Sequence, residues 1–182
     1  MITASIDYRQ YYDLERYLLE VVGPNFRNSG AIEPIGFFSI LVWKANRKKT
    51  HQRDRLIKKS GTFERAVAAI AEGLFRAPDE REQLRFLMQD WDFRLPTATA
   101  ILTILYPEQF TVYDFRVGEE VGIKLANRTN FDSIWDGYNQ FRKRVRGQAP
   151  EGFSLRDCDR YLWGHSWYKA NLKFMSATTD IR

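Results

Sequence analysis

"LPTATAILTILYPEQFTVYDFRV", residues 95–117, is the stretch whose reading decides the fold. Leu95 and Pro96 open an apolar run that Pro107 stops; a β-like "FTVY" follows, and Asp114 stands directly before a new helical pattern. Proline in a first helical turn forfeits no hydrogen bond, because the amide it lacks is unpaired in any helix. The spacing predicts a helix over 97–106 whose first amides, those of residues 97–99, point outward as a place for a phosphate. Asp114 has two readings. Aspartate is a favoured N-cap, and a carboxylate at a loop–helix junction is equally a candidate catalytic acid or base.

Upstream, "PDEREQLRFLMQ" (78–89) has proline at its start and three acids in its first turn, which marks a helix N-terminus. With the turn "DWDFRLP" it forms a helical hairpin over about 78–106. Apolar periodicity adds a helix over 6–22, through Ile6, Leu14, Leu18, Val21 and Val22, ended by Gly23-Pro24. Further helices are expected over 34–46, over 62–75 and from Asp114 to about Lys124. Another should be capped by Asp132 and closed by Gly147, and a last one should open with a capping box of Ser154 and Asp157. About eight helices, with hardly any strand signal, no Pro/Ser/Gly-rich linker and no repeat, predict an all-α, compact multi-helix single domain over 1–182.

The composition restricts the function classes. The chain has 182 residues, 44% of them hydrophobic and 15% aromatic, enough for a real core. It has no apolar run of about 18 residues and no apolar signal core at its start, and Cys158 is its only cysteine. A cytoplasmic protein without a disulfide scaffold is expected. His51 and His165 are too few and too far apart for a metal site, and no cofactor is expected. Trp91, Trp135, Trp163 and Trp167 read as packing residues, and Cys158 as structural.

Charge is more informative in its distribution than in its sum of +5. "KANRKKTHQRDRLIKK", Lys44 to Lys59, holds eight basic residues and one acid, and "FRKRVRG" (141–147) is a second cluster. One such run is ordinarily a solvated face. Two in one chain point to a polyanionic partner, most simply nucleic acid.

Leu-Pro, a helix with small residues, a short excursion and an aspartate opening the next helix form a layout that resembles the helix-hairpin-helix DNA glycosylase superfamily, to which the endonuclease III-like enzymes belong. The resemblance runs from about residue 34 to 125. The family's hairpin reads L-P-G-V-G-x-x-T-A, and here it is "LPTATAILT", with Thr97 and Thr99 in the glycine places. Bifunctional members carry a lysine where this chain has Ile101, so the resemblance implies base release by water rather than by an enzyme amine. It casts Asp114 as the carboxylate that stabilises an oxocarbenium-like sugar or activates that water. Arg94, Thr97, Thr99 and Arg116 would contact DNA phosphates, as would Lys44, Arg47 and Lys48 at the end of helix 34–46. Trp43 and Asn46 would line a pocket for an extruded base. The expected partner is duplex DNA. The alternative is a non-catalytic nucleic-acid-binding or protein-interaction module that keeps the fold; the two absent glycines favour it, and Asp114 favours the enzyme.

Overall fold

The structure, a computed structural model, describes residues 7–176; Ile6 lies outside them. Among the described residues there are helices and loops and no strand. The chain divides into two compact units, Met1–Tyr106 and Pro107–Arg182.

In the first unit, α1 (Leu14–Tyr17) does not end at Gly23-Pro24. It runs through a π turn, Leu18–Val22, into α2 (Gly23–Ser29), with right-handed helical backbone at every junction. The Gly23 amide bonds back to Leu18 O, five residues earlier. This change of register is where a proline is tolerated, since its missing amide falls at the break in the ladder. Gly30, at φ 71°, closes α2 in the left-handed conformation.

The centre of this unit is α7 (Leu95–Leu105), of which only Pro96 is not buried. A helix apolar on every side has to be enclosed, and α7 is packed by α3 (Pro34–Ala45), α2 and α6 (Glu80–Arg85). Its C-terminus is met by α2. Arg27 donates to Leu105 O at 3.0 Å, and a Cβ on Gly23 would collide with Ile104 O. Residues 79–105 hold two helices joined by a turn. Asp79 caps α6 by accepting from the Glu82 amide at 2.8 Å, a second π turn (Phe86–Asp90) follows, and residues 91–94 turn into α7.

The basic run is itself largely a helix, α4 (Lys49–Ser60), which the periodicity did not predict. Only Gln52 and Leu56 of α4 are buried, so it lacks the apolar stripe that betrays a helix in sequence. Gly61, at φ 84°, ends it. Thr62 then caps α5 (Phe63–Arg76), whose Val67, Ile70 and Leu74 are buried as the spacing requires.

In the second unit, a segment without regular secondary structure, 110–113, leads to α8 (Phe115–Glu120), α9 (Phe131–Gln148) and α10 (Leu155–Ser176), with α10 packed on both α8 and α9. Tyr138 of α9 is wholly buried. Its hydroxyl donates to Thr111 O at 2.7 Å and accepts from the Thr111 amide at 3.1 Å. The Tyr113 hydroxyl accepts from the Leu125 amide at 2.8 Å. These bonds satisfy the amide and carbonyl of Thr111 and the amide of Leu125, which lie outside any helix. The N-cap of α9 is Asn130, not Asp132, and accepts from the Ser133 amide at 3.1 Å. Gly147 does not close this helix, which runs to Gln148, just before Ala149 and Pro150. The Ser154–Asp157 cap is present: Ser154 Oγ accepts from the Asp157 amide at 3.1 Å and donates to Asp157 Oδ2 at 2.6 Å. Together with the Arg160 guanidinium, that hydroxyl holds the Asp157 carboxyl below the usual carboxylate range.

Candidate nucleic-acid interface

Asp114 is a helix cap. It is half-buried, with extended backbone, and its Oδ1 accepts from the Arg116 amide at 3.0 Å while its carbonyl accepts from the Gly118 amide at 2.8 Å. Arg116 lies over the ring of Phe115, 5.4 Å from its centre. Both residues belong to the second unit, whereas the hairpin and the end of α3 belong to the first.

The hairpin residues differ from expectation. Thr99 is fully buried, and its hydroxyl donates to Leu95 O at 2.8 Å. Thr97 is also buried, at 9% exposure. The amides of Thr97 and Ala98 both bond to Arg94 O, at 2.9 and 3.0 Å, so they are not an open phosphate cradle. The reason is register: α7 begins at Leu95, which makes Arg94 the N-cap and residue 97 the third helical residue rather than the first. Thr99 thus turns its hydroxyl into its own helix, and Thr97 is buried beside it. Arg94 is exposed, as a contact residue would have to be. Ile101, in the lysine place of the bifunctional enzymes, is fully buried.

Trp43 and Lys44 are half-buried at the end of α3, and the exposed Asn46 accepts from Lys49 Nζ through its Oδ1 at 2.6 Å. The cavities described, of about 350, 450 and 480 Å³, are lined by other residues, with none of Trp43, Asn46 or Asp114 among them.

The basic run separates into two populations. Arg55 and Lys59 grip the hairpin turn: Arg55 donates to Trp91 O and lies 4.8 Å from the ring centre of Phe93, and Lys59 donates to Asp90 O and lies 5.3 Å from that of Trp91. Burial pulls Arg55 down from the ordinary arginine value, and the nearby Asp92 carboxylate opposes that shift. Arg53 pairs with Asp54 at 2.7 Å. Arg47, Lys48 and Lys58 are exposed, as are Arg53 and Lys59. In the second unit, Arg142 and Arg144 are likewise structural, donating to Gln109 O and Val121 O, while Lys143 is exposed. Lys58 was not singled out in the sequence, where nothing separates it from Lys59.

Two of the expected packing residues are not packed. Trp163 and Trp167 of α10 are 42% and 48% exposed, whereas Trp91 is buried and Trp135 half-buried. Cys158 is buried, and burial pushes its thiol up. Among the described residues no group of three or more His, Cys, Asp or Glu could hold a metal ion, and no helix is long and apolar enough to cross a membrane.

No family model, curated protein or solved structure matches this chain.

Proposed function

We propose that the chain is a helical nucleic-acid-binding module that contacts phosphates and performs no base excision. The observation that carries this reading is the set of exposed cations on one helical segment: Arg47 and Lys48 in the single turn Asn46–Lys48, and Lys58 in the last turn of α4. Phosphate attraction is independent of sequence and needs neither a pocket nor a catalytic carboxylate. Two features set the non-catalytic reading above the enzyme: Asp114 is accounted for as a cap, and the hairpin amides of residues 97 and 98 are already bonded.

Fluorescence anisotropy with a labelled duplex, titrated over a range of salt concentrations, tests it. Neutralising three phosphates gives a log–log slope of about −2.7, and alanine at Arg47, Lys48 and Lys58 together should bring the slope close to zero. Absence of binding at low salt removes the reading. Release of a base from any damaged duplex, scored after alkali and lost in Asp114→Asn, returns it to the enzyme.

A further inference from the structure

α4 has little of its own to hold it in place. No side chain caps its start, and Lys48 and Lys49 stand at the positive end of the helix dipole. Lys49 and Arg53 are four residues apart, as are Arg55 and Lys59, and like charges at that spacing on a helix repel. Asp54 is the one acid of the helix, and it pairs with Arg53. Of twelve residues only Gln52 and Leu56 are buried, and Gln52 Oε1 has no hydrogen-bond partner there. α5, by comparison, buries five side chains, and all of α7 but Pro96 is buried.

An element that buries so little opens before the rest of a fold does. Two cations tie α4 to a distant part of the chain, and both end on one turn. Arg55 donates to Trp91 O and Lys59 to Asp90 O, and each also lies over a ring of that turn, Phe93 and Trp91 respectively. The turn depends on these ties in return. It holds Asp92 in a left-handed conformation, at φ 53°. Its Trp91 and Phe93 amides bond to Phe86 O at 3.2 Å and to Leu87 O at 3.0 Å, so their exchange with solvent reports whether the turn is closed.

We propose that α4 is a strap that phosphate binding closes, and that its closing orders the hairpin turn, residues 90–94. This rests on the nucleic-acid reading, in which Arg47, Lys48 and Lys58 attract phosphates. Repulsion between the like-charged pairs, and between the first-turn lysines and the dipole, exists only while α4 is helical. Negative charge brought alongside relieves it, and so favours the helical, strapped form over the open one. A ligand that binds only the closed form depopulates the open form by the factor 1 + [L]/Kd. Arg55 and Lys59 carry that change to the turn.

Native-state hydrogen exchange of the full chain, read residue by residue by NMR with and without a short duplex at about ten times its Kd, tests it. Without duplex, the amides of α4 should exchange through local opening, at rates that urea barely alters, while those of α7 exchange only on global unfolding. With duplex, the α4 amides should slow by up to about tenfold, and those of Trp91 and Phe93 should slow with them. Arg55→Ala and Lys59→Ala, made separately, each remove one tie, and Lys59 is exposed, so that variant should keep cooperative unfolding. In at least one of the two, duplex should still slow α4 while the turn no longer follows. α4 amides that exchange as slowly as those of α7 overturn the proposal. Bound duplex that leaves the rates of α4 or of the turn unchanged does the same, as does a turn that slows fully in both variants. A chain that binds no duplex fails the nucleic-acid reading and the strap together, and the anisotropy titration shows that before any exchange is measured.

Discussion

Replacing Arg55 by alanine should destabilise the chain far more than replacing Lys58, its neighbour in the same basic run. Arg55 does three things at the hairpin turn: it donates to the carbonyl of buried Trp91, stacks over Phe93, and lies 3.8 Å from Asp92. A hydrogen bond from a charged donor is worth about 1.5–3 kcal/mol. The ring contact adds about 0.5–1 kcal/mol. The pair with Asp92, itself 68% exposed, contributes under about 1 kcal/mol and falls with salt. Asp92 has φ 53°, an uncommon left-handed conformation for a residue that is not glycine, so the turn depends on the groups that hold it. The expected loss for Arg55→Ala is about 3 kcal/mol, which lowers the melting temperature by roughly 10 °C.

Lys58→Ala should stay within about 0.5 kcal/mol of the wild type, the usual range for an exposed side chain. The binding measurement should invert this order. Removing Lys58 takes about 0.9 from the salt slope, whereas a folded Arg55→Ala protein keeps the slope of the wild type. Urea unfolding followed by tryptophan fluorescence reads the stability, and duplex titration reads the slope. Equal stabilities for Arg55→Ala and Lys58→Ala would refute the division of the basic run into a structural and a binding population.

The cap at Asp114 predicts that Asp114→Ala costs about 1 kcal/mol in urea unfolding and Asp114→Asn only a few tenths; equal costs would mean that its amide bond is not what holds it. Tyr138→Phe leaves both the amide and the carbonyl of buried Thr111 without their partner, so a loss of about 2 kcal/mol or more is expected in the same assay, and a neutral result would contradict the bridging geometry. Cys158, with its thiol raised and buried, should react with an aromatic disulfide reagent at neutral pH only after denaturant is added, because its thiolate is scarce and shielded.

What could be read in the sequence was what periodicity and capping chemistry announce. The helices α3, α5, α7 and α9 lie close to where their apolar residues put them, because α3, α5 and α9 each bury a stripe and α7 is buried on every side. α4 was invisible for the opposite reason: a helix that buries Gln52 and Leu56 and is otherwise held by Arg55 and Lys59 at a distant turn leaves no periodic signal. Gly23-Pro24 read as a stop because the rule assumes an α ladder, and a π turn supplies the register in which the pair continues the helix. Asn130 and Asp132 are both good caps two residues apart, and only the backbone decides between them. The basic run is the same problem in electrostatic form, since a lysine that caps a carbonyl and a lysine in solvent are one letter.

The threonines of the hairpin show why the candidate site was harder to read than the fold. A hydroxyl at a helix start is a reasonable phosphate ligand only if the helix starts where it is thought to. Moving the first helical residue from 97 to Leu95 turns Thr99 from a surface donor into a buried side chain that bonds the carbonyl four residues back. The same shift makes Arg94 O the acceptor for the amides of residues 97 and 98. Glycines in these places would leave room for a phosphate to approach the backbone. Two buried threonines fill that room and tie the turn into the core of the first unit, so the hairpin serves here as the end of a packed helix. The proposed affinity for nucleic acid rests instead on exposed side chains, those of Arg47, Lys48 and Lys58.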